Sequence, residues 1–124
     1  KNGVLEDNLR KDREVAQIQR DNFRKAFKAG VKMVFGSDAG VMPHGQAGKQ
    51  FATMVQYGMT PLDAIRAATV TASQALGKEG DVGQIAAGRF ADMVAVEGDP
   101  LSNVRVLEKP AAVIKGGKKI EPAR

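Results

Sequence analysis

The apolar positions of this chain change period three times. Over residues 4–28, Ala16, Phe23 and Phe27, with Val15, Ile18 and Ala26 beside them, recur at helical spacing, and Lys28 and then Gly30 supply a basic last turn and a stop. The pattern predicts a helix. Val31-Lys32-Met33-Val34-Phe35-Gly36 is almost continuously apolar and bounded by glycine, which predicts a strand buried on both faces, as in a parallel sheet. A helix that turns through glycine into such a strand is half of a βαβ repeat.

Beyond a loop through Pro43-His44-Gly45, a short helix is predicted from Gln50 to Tyr57, ended by Gly58. Thr60-Pro61-Leu62-Asp63 restarts the helix with an N-cap, a proline at the first helical position and an acid at the third. Leu62, Ile65, Thr69, Ala72 and Leu76 step by three and four, so one regular helix is expected to reach Leu76, its Ala and Thr content suiting close packing. From Gly77 the pattern becomes β. Gln84-Ile85 and Phe90 to Val96 read as short strands, Asp99-Pro100 as a turn, and Ala112 to Lys115 with Lys118 to Ile120 as a hairpin around Gly116-Gly117.

Composition narrows the function classes. The 124 residues carry 43% hydrophobic and 27% charged side chains, enough apolar matter for a core, and no apolar run approaches the length of a membrane span. With no Cys and one His, this chain cannot by itself build a thiolate nucleophile, a Cys-based metal site or a cluster of imidazoles, and it leaves the compartment open. The net charge of +5 is concentrated at the start: residues 1–32 hold nine basic and five acidic side chains, 33–76 two of each, and 77–124 eight and seven. Because the bases alternate with acids along a helical pattern and no aromatic is interleaved with them, the excess reads as a solvated helix face rather than a phosphate-binding stripe. Neither a nucleic acid nor a membrane is expected as partner. The chain opens Lys1-Asn2-Gly3, without an initiating Met or a signal peptide, as a piece of something longer would; a processed protein would look the same.

Two residues stand where chemistry is usually found. Asp38 lies just past the predicted strand 31–36, the edge at which α/β barrels and doubly wound sheets meet their substrates. A carboxylate there can bind a divalent metal or take a proton from water; equally, it can cap the turn or the next helix. His44, six residues on, can act as ligand, proton carrier or substrate contact, or serve as a local hydrogen-bonding residue. Asp92, inside an apolar run, is expected to satisfy backbone groups at a strand start.

Longer strings carry a resemblance. Gly30-Val31-Lys32-Met33-Val34-Phe35-Gly36-Ser37-Asp38-Ala39-Gly40, then Pro43-His44-Gly45, then Gly58-Met59-Thr60-Pro61-Leu62-Asp63-Ala64-Ile65-Arg66-Ala67-Ala68-Thr69, resemble the C-terminal third of metal-dependent amidohydrolases. The imidazolonepropionase-like and Xaa-Pro dipeptidase (prolidase-like) branch is the nearest in pattern. Val82-Gly83-Gln84-Ile85-Ala86-Ala87-Gly88-Arg89-Phe90-Ala91-Asp92-Met93-Val94-Ala95-Val96, with Gly98-Asp99-Pro100-Leu101 after it, resembles the family's return from its barrel into a small β-sandwich. Val113 to Lys118 is similar to its closing hairpin.

The resemblance implies an α/β fold: residues 1–76 as the C-terminal part of a (β/α)8 TIM barrel, with the last strand and flanking helices, and 77–124 as a segment of the β-sandwich. It implies zinc, one or two ions in the complete enzyme, with Asp38 as metal ligand and as general base and acid in hydrolysing a C–N bond of a small peptide or cyclic amide. His44 matches a substrate-side loop histidine. Two departures stand out: Ala47 and Gln50 replace the polar residues usual after the loop histidine, and the family's His-x-His pair, carboxylated Lys and later His ligands have no counterpart in this chain. The expectation is therefore a C-terminal fragment, inactive alone, that associates with itself or with the missing barrel segment. A second expectation, of a different class, is a non-catalytic packing or assembly module derived from the same fold.

Overall fold

The computed structural model describes residues 6–38, 40 and 43–121. They fall into two compact units, Lys1–Val31 and Lys32–Arg124.

The first unit is helix α1, Glu6–Lys28. Val4 and Leu5, predicted to open it, lie outside the described residues. Ala16, Phe23, Ala26 and Phe27 are half-buried, whereas Val15 and Ile18 are 48% and 60% exposed. On its polar side Asp21 accepts from Gln17 Nε2 at 3.1 Å and pairs with Arg24 at 3.0 Å, one helical turn away in each direction. The helix ends as its sequence predicts: Gly30 has φ +77° and its N–H donates to the Phe27 carbonyl.

The second unit holds three short helices and a small sheet, giving the whole chain an α/β character. Helix α2 (Lys49–Gln56) stops before Gly58, which sits at φ +110°. Helix α3 (Pro61–Ala68) starts from Thr60, whose hydroxyl accepts from the Asp63 N–H at 3.1 Å and lies 2.6 Å from the Asp63 carboxylate. The expected single helix to Leu76 is broken at Thr69 (φ −125°, ψ −91°), and Val70–Ala75 forms a separate helix, α4. Two hydrogen bonds accompany the break: the Ala67 carbonyl accepts the Phe35 N–H, remote in sequence, at 3.0 Å, and the Thr69 hydroxyl bonds back locally to Ile65 O at 2.8 Å. Burial follows the small residues. Ala64 and Ala67 are buried, whereas Leu62 and Leu76, the ends of the predicted stripe, are exposed. Met54, Met59 and Val104 complete the buried apolar set. The one buried polar residue among those described, Ser73, donates to Val70 O at 2.8 Å.

The sheet is antiparallel, in the order β1 (Met93–Ala95), β2 (Ala112–Lys115), β3 (Lys118–Ile120). Val94 faces Val113, and Lys115 faces Lys118 across Gly116-Gly117, both at positive φ (+56° and +77°), which is the two-residue turn that matches strand twist. Gln84-Ile85 forms no strand: it lies among turns, with Ile85 87% exposed.

The larger correction concerns residues 31–36, which join no sheet. A strand exists only through its neighbours, and the described residues place none beside this segment. Its exposure still alternates with the period of a strand: Met33, Phe35 and Ser37 are half-buried, while Val34, Gly36 and Asp38 are exposed.

Candidate functional site

Segment 32–38 is held to the rest of its unit at Phe35. Its N–H bonds to Ala67 O at the end of α3, and its ring lies 4.7 Å, centroid to centroid, from that of Phe51 on α2, tilted by 33°. Three residues later the backbone of Asp38 adopts φ +44°, the only positive φ at a non-glycine residue among those described, and its carbonyl accepts the Gly40 N–H at 2.7 Å. Its side chain is exposed, and among the described residues no donor bonds to its carboxylate. The carboxylate is left available to solvent and to whatever approaches the end of this segment.

His44 opens a 3-10 turn, His44–Gln46, closed by a bond from the Gln46 N–H to Pro43 O at 2.9 Å. Its side chain lies outside the described residues. Lys49 Nζ donates to Gln46 Oε1 at 3.1 Å and joins this turn to the start of α2. Both arms thus converge on one short helix: Asp38 through Phe35 and Phe51, His44 through Gly48 and Lys49. Gly48 was not recognised in the sequence as part of this arrangement. A Cβ there would lie 2.7 Å from Leu107 O, so only glycine lets α2 begin against the 3-10 segment Val104–Glu108. Its φ of −57° is ordinary, and nothing in a single sequence separates such a contact glycine from a turn glycine.

Among the described residues no group of three His, Cys, Asp or Glu is placed to hold a metal ion. A single carboxylate such as that of Asp38 could supply only one ligand residue, where zinc sites use three or four from the protein. The donor set for zinc is not present on the described residues.

Asp92 fulfils the structural role expected of it. It accepts the Gly116 N–H at 2.8 Å and the Lys115 ammonium, fastening the start of β1 to the hairpin turn. The Lys115 hydrogen bond, then that of Gly116, holds its carboxyl below its ordinary range. Asp99 is lowered likewise by the Ser102 hydroxyl and the Leu101 N–H as it shapes the turn before Pro100. A cavity of about 300 Å³ beside Asp92 is lined by Lys78, Asp81, Val82, Phe90 and Lys115. Its charges pair with each other, Lys78 with Asp81 and Lys115 with Asp92, and Asp38 is not among its lining residues.

Among the described residues no helix is long and apolar enough to cross a membrane. Comparison with known proteins places the chain in a family. Ochratoxinase of Aspergillus niger is 35% identical over 121 residues, which cover 94% of this chain and 25% of that protein. The crystal structure of a Xaa-Pro dipeptidase with bound methionine matches with a TM-score of 0.79 and 44% identity over 83% of this chain and 25% of that one. A prolidase complexed with N-methylphosphonate-L-proline matches with a TM-score of 0.83 and 29% identity over 98% of this chain and 30% of its own. The chain spans about a quarter of the length of the curated ochratoxinases it matches. The amidohydrolase family model matches residues 1–120, and the chain belongs to that family.

Proposed function

We propose that this chain is the C-terminal part of a zinc-dependent amidohydrolase that hydrolyses C–N bonds, with Xaa-Pro dipeptides as the leading substrate class. The observation that carries the reading is Asp38: an exposed carboxylate, at positive φ and with no donor among the described residues, just after an apolar segment pinned to two helices. Its likeness to a Xaa-Pro dipeptidase at 44% identity supports the substrate class. In this reading residues 1–76 complete a (β/α)8 barrel, with 31–36 as its last strand, and 77–124 contribute to a small β-sandwich.

Asp38 takes a proton from the water that attacks the scissile carbonyl carbon. It returns the proton to the departing nitrogen, which leaves as an amine rather than as an amide anion. His44 contacts the substrate from the loop above. Zinc enters this reading through the family, and its remaining ligands come from outside residues 1–124. The chain alone is therefore inactive, and it functions joined to the rest of a barrel.

The test is a graft. This chain, put in place of the matching quarter of the Xaa-Pro dipeptidase, should support cleavage of Xaa-Pro dipeptides, and Asp38→Asn in the graft should lower kcat by roughly 10²–10⁴. Undiminished turnover by the Asp38→Asn graft overturns the role of Asp38. The isolated chain should bind zinc no better than its Asp38→Asn variant; robust metal-dependent dipeptide hydrolysis by the isolated chain would sink the reading as a whole.

A further inference from the structure

We propose that Phe51 is a positioning residue for Asp38: seated on α2 by Gly48, it braces the Phe35 ring and so fixes where segment 32–38 ends. Its effect on catalysis rests on the reading of Asp38 as the proton carrier; its effect on the placement of Asp38 does not. Asp38 follows Phe35 by three residues, about 10 Å of extended chain. At that reach a tilt of about 6° at Phe35 carries Asp38 roughly 1 Å, a misplacement that can lower a rate about 10²-fold. Whatever holds Phe35 therefore holds the carboxylate.

Two contacts hold it, in different directions. The Phe35 N–H bonds to Ala67 O along the edge of the segment, which spends the donor that a neighbouring strand would otherwise take. One hydrogen bond is also a pivot, about which the segment can still turn. The Phe51 ring removes that freedom: it meets the Phe35 ring at 4.7 Å with a tilt of 33°, against the face of the segment rather than its edge. Strands paired on either side in a barrel would lie along the edges and leave this facial contact in place.

Phe51 is itself fixed from behind. Its N–H bonds to Gly48 O at 3.3 Å, and a Cβ on Gly48 would come within 2.7 Å of Leu107 O and 3.1 Å of Glu108 Cα. Both obstacles are main chain, so no change of rotamer relieves them. Three residues after Phe51, and on the same side of α2, Met54 is buried. Placement thus passes from residues 104–108 through Gly48 and Phe51 to Phe35, and from there to Asp38.

In the dipeptidase graft, Phe51→Ala should lower kcat by roughly 10–10²-fold and change KM by less than about twofold. Added to the Asp38→Asn graft, the same substitution should change kcat by less than about twofold, because residues that act as a unit are non-additive. A general loosening of the fold would act in both backgrounds. Phe51→Leu, which keeps apolar volume at the contact, should repeat the pattern with a smaller loss if Phe51→Ala does not fold. Equal losses in both backgrounds, or an unchanged kcat, overturn the proposal and leave the role of Asp38 standing; a fully active Asp38→Asn graft overturns that role instead. Amide resonances of the isolated chain test the placement without metal or substrate. Gly48→Ala suits the backbone, at φ −57°, and leaves both rings present, so it acts by contact alone. It should shift the Phe51, Phe35 and Asp38 amides together and leave those of Gly116 and Gly117 unmoved. A stationary Asp38 amide overturns the proposal whatever the graft does.

Discussion

Asp38 and Asp92 each sit beside an apolar run, yet the Asp92 carboxylate is bonded within the fold and that of Asp38 is exposed. Asp92 is engaged by the Gly116 N–H and the Lys115 ammonium, and its carboxyl is held below its ordinary range. A carboxyl lowered on folding stabilises the native state above its unfolded pKa of about 3.9, and that contribution is lost as the pH falls through the lower folded value. Thermal melts of the wild type should therefore lose stability below about pH 4 more steeply than those of Asp92→Asn. Parallel acid limbs would show that Asp92 does not contribute in this way. Its structural role was legible in the sequence, because an acid next to a strand start has few other ways to be satisfied. The availability of the Asp38 carboxylate was not legible: whether a turn aspartate caps its own backbone depends on torsions that a single sequence does not specify.

Elements defined by their own residues were the readable ones. Thr60, Pro61 and Asp63 announce the start of α3, and the hydroxyl of Thr60 accepts where an N-cap should. Thr60→Ala should cost about 1 kcal/mol, read as a lower denaturant midpoint at unchanged slope, while Thr60→Ser should restore most of it. The glycine pair of the β2–β3 hairpin was equally plain, since both turn positions need positive φ. Two features that depend on distant partners were not readable. The apolar run 31–36 has the composition of a strand and its alternating exposure, but pairing is supplied by neighbours, and none lies beside it among the described residues. The helix expected to reach Leu76 is interrupted where a remote backbone group, the Phe35 N–H, claims the Ala67 carbonyl. Nothing in the local period forecasts that claim.

Across the whole molecule, family membership was legible because several ordered motifs recur over most of the chain, and the family model matches residues 1–120. Two methionines, two alanines and a valine make up the buried apolar set of the described residues, and none of their large side chains is fully enclosed. That sparse interior has a calorimetric consequence. The heat-capacity increment of unfolding arises mainly from apolar surface newly exposed to water, about 12–15 cal/mol/K per residue in ordinary globular domains. Side chains already wet in the native state contribute little, so the isolated chain should fall below that range and melt over a broad interval. Covering Val34 and the other exposed apolar groups should raise the increment and sharpen the melt. The heat capacity thus becomes a gauge of docking that requires neither a substrate nor a metal.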